Sequence, residues 1–362
     1  MSKGKTKIAV IGNGGISGEH LKGYAGNPDV EIRALCDINE ERLNQRGDEY
    51  KVPKSRRFTD VNALLKACPE VEAVSVCTWN SAHAPCAIAA LNAGKHVLCE
   101  KPMAMNAREA ENMLKAAKRN KKLLMIGFVR RFGNDCAVMK DLIDSGYFGD
   151  IYYAKATYLR RHGCPGGWFG DKKFSGGGPL IDLGVHVIDL CRYLMGNHLP
   201  VSVYGATFKK LGNRPGIKVR FGDTYKSTSK EVKEVFNVED LATAMIRFEN
   251  GAVLQVEAAF SLNMEPEHKG TIEFFGTKAG ACLDPAIHIF SETNGYMTNV
   301  TMPTNTALSF DGLFANEIDH FVNCVRTGAE CRNPAEDGVT LMKILDAIYK
   351  SAEIGHEVLI DG

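Results

Sequence analysis

The segment that decides the fold is Lys7-Ile8-Ala9-Val10-Ile11-Gly12-Asn13-Gly14-Gly15-Ile16-Ser17. Its first five residues form a largely apolar run that predicts a buried strand, and the glycines predict a tight turn into a helix. Two leading glycines let a pyrophosphate approach the backbone at the helix N-terminus. Ser17 stands where this pattern usually carries Gly or Ala, and it is small enough for helix–strand packing. We therefore predict dinucleotide contacts at Gly12, Gly14, Gly15 and Ile16.

Strand-like and helix-like segments alternate through the first third of the chain. Such alternation is typical of a doubly wound parallel sheet, so residues 1–128 are predicted to form a Rossmann domain. Further strands are predicted at Val30–Cys36, Val71–Cys77, His96–Cys99 and Leu123–Ile126. The helices are predicted at Gly15–Gly26, Glu40–Tyr50, Ala82–Ala93 and Ala107–Asn120.

After about Phe128 the pattern changes to longer strands of alternating polarity. This change predicts a second α/β domain over residues 129–362, built on a large, open and mostly antiparallel sheet. Its strands are predicted at Ile151–Arg161, Val201–Phe208, Leu241–Glu249, Ala252–Ser261 and Gly270–Phe275. Two amphipathic helices, Phe314–Arg326 and Glu336–Ala352, end the chain and can pack back on the first domain. The polar segment Gly212–Glu234 predicts a long mobile loop.

The composition narrows the class of protein. With 44% hydrophobic residues, 24% charged residues and a net charge of +1, the chain gives no reason to expect nucleic acid or a membrane as a partner. Its start lacks the apolar region of a signal peptide. The 11 cysteines show no C-x-x-C spacing. We therefore expect no metal site and a location in the reducing cytoplasm.

An acidic residue ends the second predicted strand. Asp37 lies about twenty residues beyond the glycine turn, where a carboxylate accepts hydrogen bonds from the adenosine ribose and repels a 2′-phosphate. The cofactor is therefore predicted to be NAD, with NADP less favoured. Arg42 lies close enough to contact the cofactor as well and to soften that preference. Asp37 could equally cap the helix that follows, and the two roles are compatible.

Polar residues follow two more strands of the first domain. Glu100-Lys101-Pro102 comes directly after His96–Cys99, at the edge where open α/β sheets bind ligands. Pro102 restricts the backbone of Lys101 and can aim its side chain at one point. The preceding strand leads into a second set of predicted cofactor contacts, Thr78, Trp79, Asn80 and His83, to which we add Glu100 and Lys101. Thr78, Asn80 and His83 could also be ordinary turn and capping residues.

A glycine run in the second domain precedes a polar helix. Gly176-Gly177-Gly178, which we interpret as flexible, leads into a segment where Asp182, His186 and Asp189 are spaced i, i+4 and i+7. In a regular helix these three share one face. A separate apolar stripe anchors the helix to the sheet through Leu183, Val187, Leu190 and Leu194. Because few other charges occur on this helix, the polar face favours a functional role.

These motifs, together with Gly127–Phe132, occur in one chain and in one order. The combination resembles the Gfo/Idh/MocA family, the glucose-fructose oxidoreductase and inositol dehydrogenase type, over essentially the whole length. The resemblance implies a Rossmann domain for the nicotinamide cofactor and a C-terminal domain for the substrate and the oligomer interface. It also implies that the catalytic residues are Lys101, Asp182 and His186. Trp79 departs from the family, in which many members have proline.

The chemistry implied is hydride transfer from a secondary alcohol. His186 is a natural base near neutral pH, and Lys101 can share that role or stabilise the developing alkoxide. Asp182 would orient the histidine or bind a neighbouring hydroxyl. Predicted substrate contacts add Arg130, Tyr158, Arg160 and Trp168, which suit a polyhydroxylated ring. Trp168 and its neighbour Phe169 could instead only pack their loop.

The preferred substrate is a sugar, glycoside or cyclitol, with oxidation of a glucoside at C3 to a 3-oxo product as the first hypothesis. Three alternatives stay open. The first is a myo-inositol 2-dehydrogenase type of activity, and the second is NAD-dependent glycoside hydrolysis through transient oxidation. The third is a non-enzymatic, NAD-binding regulator of a sugar pathway. A homo-oligomer is expected.

Overall fold

The computed structural model describes residues 4–214, 216–217, 226–227, 229, 232–265, 268–283, 286–302 and 312–360. Within these ranges the strands form a six-stranded sheet, in the order β3-β2-β1-β4-β5-β6, and a nine-stranded sheet, in the order β14-β13-β12-β11-β7-β10-β9-β8-β15. Residues 215, 218–225, 228, 230 and 231 of the predicted loop Gly212–Glu234 lie outside the described residues.

The first sheet is parallel throughout. Its strands are β1 Thr6–Ile11, β2 Val30–Cys36, β3 Arg57–Phe58, β4 Ala73–Val76, β5 His96–Glu100 and β6 Leu124–Gly127. The helices between them are α1 Ser17–Gly26, α2 Glu40–Glu49, α3 Val61–Ala67, α4 Asn80–Asn92 and α5 Ala107–Asn120. Strand β4 is buried at every residue, as expected of a central strand covered on both faces, and the edge strand β6 is buried at every residue as well.

Side-chain caps fix where several of these helices begin. Asn39, Asp60 and Asn106 each accept a hydrogen bond from a backbone N–H three residues later, at the starts of α2, α3 and α5. The sequence therefore specifies these helix starts locally.

The rest of the chain builds the second sheet. Its strands are β7 Ile151–Arg160, β8 Pro200–Phe208, β9 Leu241–Phe248, β10 Val253–Ala259, β11 His268–Gly276, β12 Ala279–Leu283, β13 Ile287–Thr293, β14 Tyr296–Thr301 and β15 Val358–Leu359. All neighbouring pairs are antiparallel except β7 and β10. The helices are α6 Asn134–Asp144, α7 Lys172–Ser175, α8 Val185–Leu194, α9 Leu313–Thr327 and α10 Ala335–Ile354.

The chain divides into two compact units. The first comprises Met1–Val129 with Asp311–Val339, and the second comprises Arg130–Phe310 with Thr340–Gly362. Helix α9 belongs to the first unit, where Ile318 packs so close to Gly23 of α1 that a Cβ there would lie 2.9 Å from it. In the second unit, α8 packs on β7 and β10.

The predicted fold class is confirmed: a parallel Rossmann sheet is followed by an α/β unit with a mostly antiparallel sheet. The predicted strands and helices occur, with ends that differ by a few residues. The predictions missed β3, α3, α6, α7 and β12–β15. None of the described helices is both long and apolar enough to cross a membrane.

Candidate active site

The two ends of the glycine turn differ in their surroundings. Gly12 has φ +86°, and a Cβ there would lie 2.6 Å from the carbonyl oxygen of Cys77, so only glycine fits. A Cβ on Gly14 would meet no atom within 4 Å. The hydroxyl of Ser17 donates to the Gly14 carbonyl at 2.7 Å, which ties the first turn of α1 to the loop. The turn therefore packs on the sheet at Gly12 and faces open space at Gly14.

Asp37 is buried beside this turn, and its carboxylate is held by the backbone. One oxygen accepts the N–H of Asn13 at 2.6 Å, and the other accepts the N–H of Asn39 at 2.7 Å. A guanidinium nitrogen of Arg42 lies 3.6 Å from the second oxygen. The cap of α2 is supplied by Asn39 rather than by Asp37. The carboxylate therefore stands at the end of β2 in a fixed orientation.

The polar residues after β4 differ in their burial and in their hydrogen bonds. The Thr78 hydroxyl donates to the carbonyl of Trp79 at 3.2 Å, and Asn80 is buried in the first turn of α4. The His83 ring is buried, with Nδ1 2.7 Å from the Pro102 carbonyl and Nε2 3.0 Å from the Thr78 carbonyl. The pKa of His83 is lowered from its ordinary value, because burial outweighs the carbonyl of Pro102 and the charge of Glu100, which raise it. Both ring nitrogens of His83 face backbone carbonyls, which favours the alternative of an ordinary turn residue over a cofactor contact.

Glu100 ends β5 and is buried beneath the turn that carries Lys101. One carboxylate oxygen lies 2.8 Å from Nε2 of His20, and the other accepts the backbone N–H of Lys101 at 3.1 Å. Burial raises the pKa of Glu100, but the hydrogen bond and charge of His20, with the charge of Lys101, outweigh it and hold the pKa below its ordinary value. The carboxylate is therefore ionised and internally bonded.

His20 was missed by the sequence analysis. It is fully buried on α1, one turn before Tyr24. The hydroxyl of Ser75 on β4 lies between the two side chains, within hydrogen-bond distance of both. The signal available in the sequence was a histidine on the same helix face as the apolar Leu21 and Tyr24. Nothing local to it points to Glu100, which lies eighty residues further along the chain.

The polar helix of the second unit is not regular. Leu180–Gly184 is a π-helical turn, and α8 begins only at Val185. The prediction that Asp182, His186 and Asp189 share one face assumed a regular α-helix, whereas Asp182 lies in the π turn, where bonds run i→i+5, and only His186 and Asp189 lie on the regular helix. Asp182 is buried in the π turn and His186 is half-buried on the first turn of α8. The apolar stripe is buried as predicted.

Asp189 has a structural partner. Its carboxylate forms a bidentate pair with Arg131, at 3.0 Å from Nε and 2.6 Å from a terminal nitrogen, and both side chains are almost fully buried. The ring of Tyr193 lies 4.5 Å from the Arg131 guanidinium. Asp189 thus holds α8 to the segment before α6.

The glycine run before the π turn is tightly packed, which corrects the interpretation of a flexible segment. A Cβ on Gly177 would lie 2.0 Å from the Tyr349 hydroxyl, and one on Gly178 would lie 2.2 Å from the Glu239 carbonyl oxygen. The buried Glu239 carboxylate accepts the Gly178 N–H at 3.0 Å and the Tyr349 hydroxyl at 2.8 Å. Close backbone approach, rather than mobility, requires glycine here.

The predicted substrate residues of the second unit are partly used by their own loop. Arg160 donates to the Gly163 carbonyl at 2.7 Å and lies 5.2 Å above the Tyr158 ring. The rings of Trp168 and Phe169 stack with centroids 3.9 Å apart, and Phe169 packs on an apolar cluster that includes Phe260. Arg130 pairs with the buried Asp135 at 3.1 Å. Phe169 thus anchors the loop, and Trp168 lies half-buried on it.

Two family models match this chain and define its class. The model described as "Oxidoreductase family, NAD-binding Rossmann fold" matches residues 6–128, and "Oxidoreductase family, C-terminal alpha/beta domain" matches residues 140–360. The chain therefore belongs to the Gfo/Idh/MocA oxidoreductase family, as the sequence resemblance indicated. It is an oxidoreductase of the dehydrogenase type, which confirms the predicted enzyme class.

Particular relatives follow from the same comparisons. The chain is 33% identical to D-glucoside 3-dehydrogenase of Escherichia coli over 361 residues, which cover 99% of this chain and 98% of the relative. It is 26% identical to myo-inositol 2-dehydrogenase of Thermotoga maritima, with 98% of both chains covered. Among solved structures, the aldose-aldose oxidoreductase of Caulobacter crescentus superposes with a TM-score of 0.79 at 26% identity, covering 98% of this chain and all of that one. Levoglucosan dehydrogenase with NADH gives 0.83 at 24% identity, covering 99% of both chains, and supports the fold.

The residues around the glycine turn fit a dinucleotide. Gly14 leaves space that a Cβ would fill, and no side chain caps the N-terminus of α1, so backbone N–H groups there can face phosphate oxygens. Asp37 stands at the ribose position expected of such a turn. When bound, the nicotinamide cofactor supplies the hydride chemistry, and the protein supplies position and proton handling.

Proposed function

We propose that the protein oxidises a secondary ring hydroxyl of a sugar derivative with NAD, and that its preferred substrate is a glucoside oxidised at C3 to a 3-oxo product. The observation that carries this proposal is the Glu100-Lys101-Pro102 turn at the carboxyl end of β5, in a chain of this family. The 33% identity to a D-glucoside 3-dehydrogenase, over nearly the whole of both chains, supports the substrate class.

Three side chains manage the proton in this proposal. As hydride leaves the carbinol carbon, the hydroxyl proton passes to His186 or Lys101, and the products are a ketone, reduced cofactor and one proton. Where His186 takes the proton, the Lys101 ammonium stabilises negative charge on the oxygen during the transfer. Asp182 orients His186 or binds the neighbouring hydroxyl. The assignment rests on the family resemblance and on the family membership of the chain.

Substrate binding is assigned to residues around the second-unit loop. We propose that Trp168 stacks on the apolar face of the sugar ring and that Tyr158 and Arg130 donate to hydroxyls. Arg160 already donates to the Gly163 carbonyl, so its contribution is to hold the loop as much as to contact substrate. The half-buried position of Trp168, stacked on the anchored Phe169, supports its role as a platform.

We propose NAD as the preferred cofactor. A buried carboxylate at Asp37, fixed by two backbone N–H groups, disfavours a 2′-phosphate more strongly than a mobile one would. Replacing Asp37 by Ser should narrow the preference for NAD over NADP, measured as the ratio of kcat/KM values. A wild-type protein that uses NADP equally well contradicts this part of the proposal.

The experiment is a screen of methyl glucosides, free sugars and inositols with NAD, followed by NADH absorbance and product mass. The proposal predicts a product two mass units lighter than a glucoside, and loss of turnover in Lys101→Ala and His186→Ala variants that still bind NAD. Either variant turning over normally overturns the catalytic assignment.

The same screen separates the alternatives. Turnover of myo-inositol instead of glucosides would favour the second candidate, which the inositol dehydrogenase relatives support. Glycosidic cleavage without net NADH identifies the hydrolase, and NAD binding without turnover of any polyol identifies a regulator.

We also propose a homo-oligomer that covers the open face of the second sheet. Tyr204 and Met245 are cross-strand neighbours there and are each about half exposed, at 53% and 51%. An apolar face of this kind is typical of a subunit interface. All 11 cysteines lie in the described residues and are thiols rather than disulfides, and we propose a cytoplasmic location.

A further inference from the structure

A chain of buried side chains lies beneath the turn that carries Lys101. His20 is fully buried, with Nδ1 3.1 Å from the Ser75 hydroxyl and Nε2 2.8 Å from the Glu100 carboxylate. The Tyr24 hydroxyl lies 2.6 Å from the same Ser75 oxygen. The chain ends where Glu100 accepts the backbone N–H of Lys101. Side chains on α1 and β4 are thus connected to the turn after β5.

The contact between His20 and Glu100 shows which ring nitrogen of His20 carries a proton. Glu100 is ionised and only accepts, so Nε2 of His20 donates to it. Burial raises the pKa of Tyr24, which therefore keeps its proton, and the Tyr24 and Ser75 hydroxyls share one hydrogen bond. The Ser75 hydroxyl also lies within hydrogen-bond distance of Nδ1 of His20, at 3.1 Å. Nε2 of His20 therefore carries a proton whether or not Nδ1 carries a second one.

A second histidine contacts the other side of the same turn. His83 of α4 places Nδ1 2.7 Å from the Pro102 carbonyl, which only accepts. Nδ1 of His83 therefore carries a proton, whether or not Nε2 also donates to the Thr78 carbonyl. The two histidines thus present opposite nitrogens to the turn, Nε2 from His20 and Nδ1 from His83.

We propose that His20 and His83 are positioning residues for Lys101, His20 acting through the Glu100 carboxylate and His83 through the Pro102 carbonyl. The inference rests on the proposed function of Lys101. Bonds on both sides fix the backbone from Glu100 to Pro102, so the lysine side chain starts from one place. The ionised Glu100 also places a negative charge beneath the ammonium. Neither histidine has to touch substrate or cofactor for this.

The acidic groups around His20 allow one competing explanation. Ligand atoms of His20, Glu100 and Glu317 lie within 4.8 Å of one another, a spacing that a metal ion also requires. The short contact between Nε2 of His20 and Glu100 already accounts for the pair through a hydrogen bond. Positioning by hydrogen bonds predicts that activity survives exhaustive treatment with EDTA. Activity that EDTA removes and Mn²⁺ or Zn²⁺ restores would assign the cluster to a metal and overturn the proposal.

Crossed amide substitutions test the two histidines. The side-chain nitrogen of Gln can take the place of Nε2, and that of Asn can take the place of Nδ1. For His20 we expect His20→Gln to keep kcat within about threefold and His20→Asn to lower it by roughly 10- to 100-fold. For His83 the order is reversed, with His83→Asn retaining activity and His83→Gln losing it. KM for NAD stays near its wild-type value in all four.

The crossed pattern is the result that a merely structural role would not give. Thermal unfolding and NAD affinity serve as controls, because each histidine has one active and one impaired variant of nearly equal size. The same amide preferred at both positions, or losses matched by lost stability, overturns the proposal.

A readout without substrate keeps this test separate from that of the proposed function. Two-bond ¹⁵N–¹H spectra of the NAD-bound protein should show a proton on Nε2 of His20 and on Nδ1 of His83. Absence of either proton overturns the inference. If the protons are present but the wild type oxidises no polyol or glycoside, the proposed function fails while the hydrogen-bonded arrangement stands.

Discussion

Two glycine-rich segments, Gly12–Gly15 and Gly176–Gly178, look alike in sequence and differ in structure. A Cβ on Gly14 would enter open space, whereas Cβ atoms on Gly177 and Gly178 would collide with Tyr349 and Glu239. The first segment therefore leaves room for a ligand, and the second lets the chain pack. A glycine run before functional residues therefore does not by itself indicate mobility.

The polar groups near the two segments differ in the same way. The fixed Asp37 carboxylate lies at the open end of β2, beside the dinucleotide turn. After Gly178, Asp189 is bound by Arg131, and Glu239 is bound by Tyr349 and by the backbone. We expect substitutions in the first region to change ligand binding, and substitutions in the second to change stability.

The largest expected effect is that of Asp189→Ala. It leaves the Arg131 guanidinium buried without its bidentate partner, which costs about 3–5 kcal/mol in the free energy of unfolding. Urea denaturation of the second unit measures the loss. The double variant Arg131→Met/Asp189→Ala should recover part of it, since no unpaired charge is left. A single variant as stable as the wild type contradicts the packing role of this region.

Gly178→Ala should be the next largest. The added methyl would lie 2.2 Å from a backbone carbonyl oxygen, so the π turn or the Glu239 backbone must shift, at about 1–3 kcal/mol. Gly26→Ala is a matched control, because a Cβ there meets nothing within 4 Å. Equal stability of the two variants would show that the run tolerates side chains.

Gly14→Ala should have the opposite effect, with weaker NAD binding and little change in stability. Stability stays near that of the wild type, because the methyl enters open space, but it occupies room needed by the pyrophosphate. We expect a roughly tenfold weaker Kd for NAD, about 1.4 kcal/mol, measured by fluorescence titration. Unchanged affinity would remove the distinction between the two glycine segments.

The smallest effect is expected for Tyr349→Phe. Burial raises the pKa of Tyr349, so its hydroxyl stays protonated and donates to Glu239. Removing it costs about 0.5–1.5 kcal/mol, because Glu239 keeps its backbone donors. The midpoints of urea denaturation compare the stability of Tyr349→Phe with that of Gly178→Ala. A larger loss for Tyr349→Phe would mean that the hydroxyl, not the glycine packing, holds this segment.

The sequence predicts best what depends on local pattern. The turn at Gly12, the acid at Asp37 and the Lys101 turn each follow a buried strand, so topology alone brings them to one sheet edge. Strands such as β13 were missed because Ile287–Thr293 ends in three polar residues, Ser291, Glu292 and Thr293. The π turn at Asp182 and the partners His20–Glu100 and Arg131–Asp189 depend on tertiary packing between distant residues, for which the sequence carries no local signal.

The most direct test of the central claim uses methyl β-glucoside deuterated at C3, incubated with NAD. We expect deuterium to appear on the nicotinamide ring, the sugar product to be a 3-oxo glucoside, and Lys101→Ala to lose this transfer while still binding NAD. NADH formation that carries no deuterium, or transfer that persists undiminished in Lys101→Ala, would contradict it.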